Sequence, residues 1–440
     1  MKIDSLFSQL LLFLTTAKAI EGDFCRFFYF FVVIKSDFYY LCANLNSTKM
    51  KRFLLTICAV MGAMGAYAQL TPNKIVVPDI EGYKTLKGDF HIHTVFSDAT
   101  VWPTTRVQEA IWEGLDVIAI SEHIDTRHQK MVNNGTFVKE KCDRDYSYKL
   151  AKKAAGKNLL VVHAGEITRM GMPPGHFNCL FVKDNDDICN AAEQFDHDHV
   201  LAMEAGLREA RKQGAFLMWN HPNWCKQAPN ETVMHKAHKK ILKEGYMDAI
   251  EIYNMACGYT PEGHQWALDN NLAMLGNSDC HAPFFMEVDY LHGAHRPVTL
   301  LFAEEKSLAG VRGALDARRS AVFAEGNVYG REQELRPLLE ACLKVKEVKF
   351  KDKEVVVTFE NVSSIPVTLT KGKGSEDTWY VRYVVIPGMT TYTYKVRPLL
   401  NVDKQPAYDK ELKEYVVNFV AENFYIGPNK PLTFSVKATR

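Results

Sequence analysis

The sequence has no excess of charge of either sign. Its 440 residues include 53 Lys and Arg against 52 Asp and Glu, which gives a formal net charge of +1. Without a broad positive field, the chain is not expected to hold a long nucleic acid through its phosphates. The hydrophobic content of 47% and the charged content of 24% are ordinary for a folded chain, which excludes a disordered or polytopic membrane protein. The length predicts two or three domains.

Regularly spaced cysteines are also missing. Of the ten cysteines, three lie within the first 68 residues, and the seven that follow are irregularly spaced. This pattern predicts neither a disulfide scaffold nor a CxxC zinc site. The sequence also contains no G-x-S-x-G elbow and no Walker loop, so it does not indicate a serine nucleophile of that type or a P-loop.

An apolar run of limited length follows Met50. Lys51 and Arg52 give it a basic start, the apolar residues extend over 53–65, and the small-x-small pattern of residues 66–68 precedes Gln69. The run is shorter than the roughly 20 residues that a membrane-spanning helix needs. It therefore predicts a signal peptide at 50–68, export to the periplasm or the medium, and no stable membrane span after cleavage.

Residues 1–49 precede this natural start, which predicts an over-extended gene start at the wrong Met. The alternative is that Phe27–Ile34, with the sequence FFYFFVVI, belongs to a genuine leader.

The rest of the chain has two textures. Over 80–330, apolar runs of four to eight residues alternate with amphipathic stretches, which is typical of repeated βα units. We expect an α/β domain there, a (β/α) barrel closed by about seven strands, with an open doubly wound sheet as the alternative. Over 345–440, hydrophobicity alternates with period two between Gly, Pro, Asn and Asp, which predicts a small antiparallel β-sandwich.

Potential metal ligands stand where the apolar runs of the first domain end. His91 and His93 follow the first run, and strand alternation puts both on one face, where they can bind one metal. An HxH pair alone is weak evidence, but the later runs end in the same residue types. The candidate ligands are His91, His93, Asp98, His123, Glu166, His176, His221, Asp279 and His281. Glu122 either binds metal or orients its neighbour His123.

These residues stand in motifs that resemble the PHP (polymerase and histidinol phosphatase) family. The motifs are GDFHIHTVFSD, VIAISEH, HAGEI, GHFN, WNHP and GNSDCH, and they occur in the family's order across most of 87–324. The resemblance implies a distorted (β/α)7 barrel that holds two or three divalent ions and hydrolyses phosphoesters. Two positions depart from the usual pattern: Glu122 stands where Asp is common, and Ala99 where Gly commonly follows the Asp.

The resemblance also implies how the ligands are divided. One metal would be held by His91, His93, Glu166 and Asp279. A second would be held by Glu166, acting as a bridge, with His176 and His221. A third would be held by Asp98, His123 and His281.

We therefore expect an exported metal-dependent phosphoesterase that acts on small phosphomonoesters or phosphodiesters. Two ions about 3.5 to 4 Å apart would generate a shared hydroxide that attacks phosphorus. The expected catalytic residues are Glu166, Asp279, His281 and Arg169, with Arg169 as a cation near the phosphoryl oxygens. Ligation by imidazole and carboxylate suits Zn, Mn or Fe.

Two alternatives stay open. The same metal cluster could hydrolyse an amide or a lactone, because metal-activated water attacks carbon as readily as phosphorus. Otherwise the chain is a non-catalytic surface binding protein whose sandwich docks a glycan or a protein partner.

Overall fold

The computed structural model describes residues 74–125, 143–168, 174–195, 197–224, 231–351, 353–376, 378–398, 408 and 411–440. Residues 72–440 form one compact unit. The predicted gene start at 1–49 and the predicted signal peptide at 50–68 lie outside the described residues.

The elements of the first part of the chain alternate between strands and helices. The strands are β1 (Lys84–Asp89), β2 (Val117–Ile120), β3 (Leu160–Thr168), β4 (His176–Leu180), β5 (Phe216–Trp219), β6 (Ala249–Asn254), β7 (Gly258–Tyr259), β8 (Ala273–Asn277), β9 (Val298–Ala303), β10 (Ser320–Ala324) and β11 (Asn327–Gly330). The helices are α1 (Pro103–Glu113), α2 (Tyr146–Ala155), α3 (Asn185–Glu193), α4 (His199–Lys212), α5 (Lys236–Lys243), α6 (Pro261–Asp269), α7 (Phe284–Glu287), α8 (Leu308–Asp316) and α9 (Glu332–Cys342).

In the last part of the chain, the regular elements of the described residues are all strands. They are β12 (Leu343–Phe350), β13 (Val355–Asn361), β14 (Val367–Lys371), β15 (Thr378–Trp379), β16 (Tyr383–Ile386), β17 (Thr391–Pro398), β18 (Glu414–Tyr425) and β19 (Pro431–Thr439). Among the described residues, no helix combines the length and the apolar character needed to cross a membrane.

Strands β1 to β6 are hydrogen-bonded in chain order, and β8 pairs with β6. The pairs β1–β2, β2–β3, β5–β6 and β6–β8 are parallel. Strands β2, β5, β6 and β8 are buried throughout, as expected for parallel strands covered on both faces. These features confirm the mixed α/β class. Strand β4 departs from the repeat because it runs antiparallel to both β3 and β5.

The strands have a seam along β8, on the side that faces β1, β9 and β10. In the described part of the chain, no backbone ladder joins β8 to β9 or β10; the Thr299 hydroxyl instead bonds both the amide and the carbonyl of Gly276. The strands lie so close here that a Cβ on Gly276 would stand 2.2 Å from Val322 Cγ1. Beyond the strand ends, one parallel bridge joins Ile92 to Cys280. At this seam, side-chain hydrogen bonds and a single backbone bridge therefore replace a continuous ladder of backbone hydrogen bonds.

The C-terminal strands form an antiparallel sandwich, as predicted. One sheet contains β12, β13, β17 and β15, and the other contains β16, β14, β18 and β19. Aromatic side chains fill the space between them: the Phe359 ring lies 5.5 Å from Phe419, and Tyr394 lies 5.2 Å from the same ring. The second sheet continues into the α/β part, because β18 pairs in parallel with β11. The domain bounds at 80–330 and 345–440 stay predictions, since both parts belong to one compact unit.

The close contact at the seam gives a stability prediction. We expect Gly276→Ala to lower the free energy of unfolding by about 1–3 kcal/mol, since the added methyl overpacks a buried site against Val322. In denaturant unfolding, the double variant G276A/V322A should lose less free energy of unfolding than the two single variants lose together. Gly313→Ala is the control: its Cβ meets no atom within 4 Å, and a helical alanine should raise stability by up to about 1 kcal/mol. Additive losses at 276 and 322 would contradict the close contact.

Candidate metal centre

The candidate ligands gather at one end of the strands. His91 and His93 follow β1, and His123 follows β2, while Glu166 lies near the end of β3. Since β4 runs in the opposite direction, its first residue, His176, lies at the same end as the last residues of its neighbours. This reversal explains why His176 begins its strand, whereas the other strand-borne ligands follow their strands or lie near the end.

The first group spans the seam. The Nε2 atoms of His91 and His93 lie 3.1 Å apart, and Oδ1 of Asp279 lies 3.2 Å from the first and 3.1 Å from the second. All three ligand atoms lie close enough together to hold one ion. The donor set is two imidazoles and a carboxylate oxygen, which suits a divalent metal without thiolate ligation.

Glu166 joins this group to the others. Its Oε1 lies 3.4 Å from His91 Nε2 and 3.1 Å from His176 Nδ1. Its Oε2 lies 3.5 Å from His93 Nε2 and 2.6 Å from His123 Nδ1. One fully buried carboxylate therefore faces four imidazoles, which is the arrangement expected of a bridging ligand.

Glu166, His176 and His221 form a second candidate group. His221 is the most distant member, with Nε2 3.8 Å from Glu166 Oε1 and 3.8 Å from Asp279 Oδ2. All three residues are buried.

The third group contains Asp98, His123 and His281, together with His93. Asp98 Oδ1 lies 3.1 Å from His281 Nε2, and Oδ2 lies 3.3 Å from His123 Nε2. The side chains of Asp98 and His281 are 26% and 39% exposed, whereas the His93 side chain is fully buried. The third group therefore lies on the solvent side of the cluster.

The electrostatics of the cluster keep its carboxylates ionised. Burial raises the pKa of Glu166, but the surrounding imidazoles, His123 first among them, hold that pKa well below its ordinary value. Burial lowers the pKa of His91, but nearby carboxylates, Asp279 first, outweigh it and raise that pKa well above the usual range. For His93, burial and neighbouring imidazoles lower the pKa to about 3. The carboxylates are thus available as ligands at neutral pH.

Three buried polar atoms of the cluster, Glu166 Oε2, His176 Nδ1 and His221 Nδ1, make no hydrogen bond of good geometry, although Glu166 Oε2 lies 2.6 Å from His123 Nδ1 and His176 Nδ1 lies 3.1 Å from Glu166 Oε1. Buried polar atoms are nearly always satisfied, so such atoms call for a partner such as an ion. Their chemistry, a carboxylate oxygen and two imidazole nitrogens, is that of divalent-metal ligands. The residues present therefore fit metal ions.

Residues around the cluster fix the orientation of its members. The Asn220 amide donates to Glu166 Oε1 at 2.8 Å, and the Thr168 hydroxyl lies 2.5 Å from His123 Nδ1. Glu122 accepts hydrogen bonds from the hydroxyls of Thr94 and Ser97, and it belongs to none of the candidate groups. The contacts of Glu122 therefore hold the loop that carries Asp98, and both interpretations made from the sequence, metal binding and orientation of His123, stay predictions.

Glu251, in the middle of β6, is a site residue that the sequence analysis missed. This fully buried carboxylate faces His91 Nδ1 at 3.1 Å and accepts the His221 amide at 2.9 Å. It also accepts the side-chain amides of Asn254 and Asn277. A carboxylate on Nδ1 leaves the His91 Nε2 lone pair for a metal. The signal in the sequence was a single acidic residue within the apolar run AIEIYN.

Two ligands have an unusual backbone. His221 has a φ of 27° and Asp279 a φ of 53°. Residues other than glycine rarely adopt a positive φ. The Asp279 amide donates to the His91 carbonyl at 2.8 Å, and Glu251 holds the amide of His221. Backbone strain of this kind is typical of functional sites, where surrounding contacts maintain it.

The two tryptophans near His221 have different surroundings. Trp219 is fully buried and stacks on His238 at 4.0 Å, so it belongs to the core. The Trp224 ring is partly buried and lies 5.2 Å from His176 and 5.4 Å from His221. Trp224 therefore borders the second group. The predicted cation, Arg169, lies outside the described residues, so its role stays a prediction.

No protein-family model and no curated protein sequence matches the chain. Among solved structures, it is similar to a two-domain protein from Bacteroides vulgatus, described as containing a predicted PHP-like metal-dependent phosphoesterase. The identity is 39%, the TM-score is 0.73, and the match covers 83% of this chain and 98% of the other. A protein from Bifidobacterium adolescentis, described as a proposed metal-dependent phosphoesterase, is more distant, at 17% identity and a TM-score of 0.33, with 45% and 89% of the two chains covered.

The contacts of Glu251 predict the effect of its substitution. Four donors face this carboxylate, and Glu251→Gln would turn an amide NH2 toward one of them. We expect metal affinity to fall by about 10–100-fold, as for other residues that orient a metal-bound histidine. Titration against a chromogenic chelator measures this affinity.

The control is Glu204→Gln, which changes another buried carboxylate, one paired with Lys240 on a different helix. It should leave metal affinity unchanged. Wild-type affinity in E251Q would contradict an orienting role for Glu251.

Proposed function

The chain belongs to the PHP family of metal-dependent hydrolases, and from this premise we propose that it is a phosphoesterase acting on small phosphomonoesters or phosphodiesters. The observation that carries the proposal is the contact of the buried Glu166 carboxylate with an imidazole from each of the three ligand sets that the family resemblance implies. A carboxylate in this position can bridge two metal ions.

Each group would hold one ion with the ligands that the family resemblance implies. Those sets are His91, His93, Glu166 and Asp279; then Glu166, His176 and His221; and then Asp98, His123 and His281. Divalent ions bound there would activate water for attack on phosphorus and neutralise charge on the phosphoryl oxygens. Zn, Mn and Fe all suit the donor atoms.

The chain's own residues orient these ligands and limit access to them. Glu251 bonds His91, and Asn220 bonds Glu166. All four side chains are fully buried, so these contacts lie on the interior side of the cluster. The partly exposed Asp98 and His281 mark the side from which a substrate arrives. A phosphoryl group entering there meets the third group first, and its leaving group remains toward solvent.

The wider setting is also part of the proposal. A signal peptide at 50–68 would deliver the enzyme to the periplasm or the medium, where small phosphoesters can be scavenged. The near-zero formal charge favours small substrates over long nucleic acid. Arg169 would supply positive charge near the phosphoryl oxygens, and the sandwich would bind a glycan or a protein partner.

Metal analysis combined with hydrolysis assays tests the function. We expect two or three divalent ions per chain and hydrolysis of a chromogenic phosphomonoester or phosphodiester that a chelator abolishes. Substitution of a residue that only orients a metal ligand lowers metal affinity or activity by about 10–100-fold. Loss of a ligand itself in His221→Ala should therefore lower kcat/KM by more than about 100-fold. His163→Gln is the control, since His163 bonds Asp145 away from the cluster.

The assays also separate the alternatives. Chelator-sensitive hydrolysis of amides or lactones without phosphoester turnover would make the protein a carbonyl hydrolase. A chain that binds no metal and turns over neither class would be a binding protein.

A further inference from the structure

Helix α1 buries charged side chains where a surface helix normally buries apolar ones. Arg106, Glu109 and Glu113 are all buried, and their spacing of three and four residues puts them on one face of the helix. Charges inside a protein are costly unless each is paired and hydrogen-bonded. The contacts of this face indicate what it is for.

The Arg106 guanidinium bonds to both sides of the seam. Its Nε donates to the His93 carbonyl at 3.0 Å. On the other side, its two terminal nitrogens donate to the Cys280 carbonyl at 2.8 Å and to the Ala282 carbonyl at 2.9 Å. One side chain therefore ties the segment after β1 to the segment after β8.

The backbone joins these segments over a short stretch. The Asp279 amide donates to the His91 carbonyl at 2.8 Å and the His93 amide to the Cys280 carbonyl at 3.4 Å, and together these bonds form the bridge between Ile92 and Cys280. Yet the first candidate metal group takes two ligands, His91 and His93, from one side and Asp279 from the other. Its geometry depends on the width of the seam.

Further buried charges support the same segment. Glu109 bonds Arg106 at 3.0 Å through one oxygen and accepts the Phe284 amide at 3.0 Å through the other. Arg296 bonds both Glu113 and Asp89. Asp89 in turn accepts the amide and the hydroxyl of Ser278, the residue before Asp279.

We propose that Arg106 is a positioning residue that holds the seam closed and so sets the distance between the two halves of the first metal group. For the metal itself this inference rests on the proposed function. The role requires arginine, because a planar guanidinium can donate to three carbonyls and a carboxylate in fixed directions. A lysine ammonium is a compact charge and cannot span the same acceptors.

Arg106→Lys tests the proposal through metal binding, measured by titrating Mn2+ against a chromogenic chelator. We expect the affinity to fall by about 10–100-fold, the range for residues that orient ligands. The matched control is Arg211→Lys: Arg211 also bonds two backbone carbonyls, of Ala215 and Gly245, and a carboxylate, but none belongs to the metal groups. R211K should bind Mn2+ like the wild type. Wild-type affinity in R106K would overturn the proposal.

Hydrogen exchange of the metal-free proteins tests the seam without any metal. In R106K, the amides of 91–94 and 278–284 should exchange faster than in the wild type, while exchange elsewhere and in R211K stays unchanged. Unchanged exchange of these segments in R106K would overturn the proposal, whatever the metal content. If the wild type binds no metal, but R106K exchanges faster at 91–94 and 278–284 as expected, the proposed function is contradicted. The role of Arg106 in holding the two segments together is then still supported.

If R106K does not fold, Glu109→Gln provides the second variant. It removes the charge that pairs with Arg106 but keeps an acceptor for the Phe284 amide. We expect the same segments to exchange faster and Mn2+ affinity to fall by a smaller factor, about 10-fold. Wild-type exchange and affinity in E109Q would count against the proposal.

Discussion

The arrangement of the metal centre depends on one buried carboxylate. Glu166 is excluded from solvent, and burial alone would favour its neutral form. The imidazoles that face its two oxygens reverse this preference, and the Asn220 amide fixes its orientation. The imidazoles come from the segments after β1, β2 and β5 and from the first residue of β4, and all of them lie within 4 Å of the Glu166 oxygens.

Hydrogen bonds hold the polar side chains that are buried next to the candidate ligands. Asn178 donates to the Phe90 carbonyl, Asn277 accepts the Phe90 amide, and Asn277 also donates to Glu251. Phe90, the residue before His91, is thus held through both its amide and its carbonyl. A buried polar group without a partner costs free energy, so the side-chain amides of Asn178 and Asn277 have few alternative arrangements. The backbone that leads into His91 is held in place as a result.

The sandwich is connected to the metal centre through the strand network. Strand β18 extends the sheet from β11, and β11 pairs with β10. Val322 of β10 packs against Gly276 of β8, which lies three residues before Asp279. The two parts share a sheet and a core, so the C-terminal strands help to support the outer side of the seam.

The sequence by itself determined the residue types at the strand ends, the mixed α/β class and the sandwich, because apolar runs and their periods reflect local backbone geometry. Its motifs also identified the family and all nine candidate ligands, which the fold brings together. It could not reveal Glu251, whose partner His91 is 160 positions away. It also could not show that Arg106 is buried, because the sequence of its helix is amphipathic and typical of a surface helix. Nor could it give the direction of β4 or the seam along β8. Those features depend on which strands become neighbours and in which direction they run, and only the tertiary structure decides that.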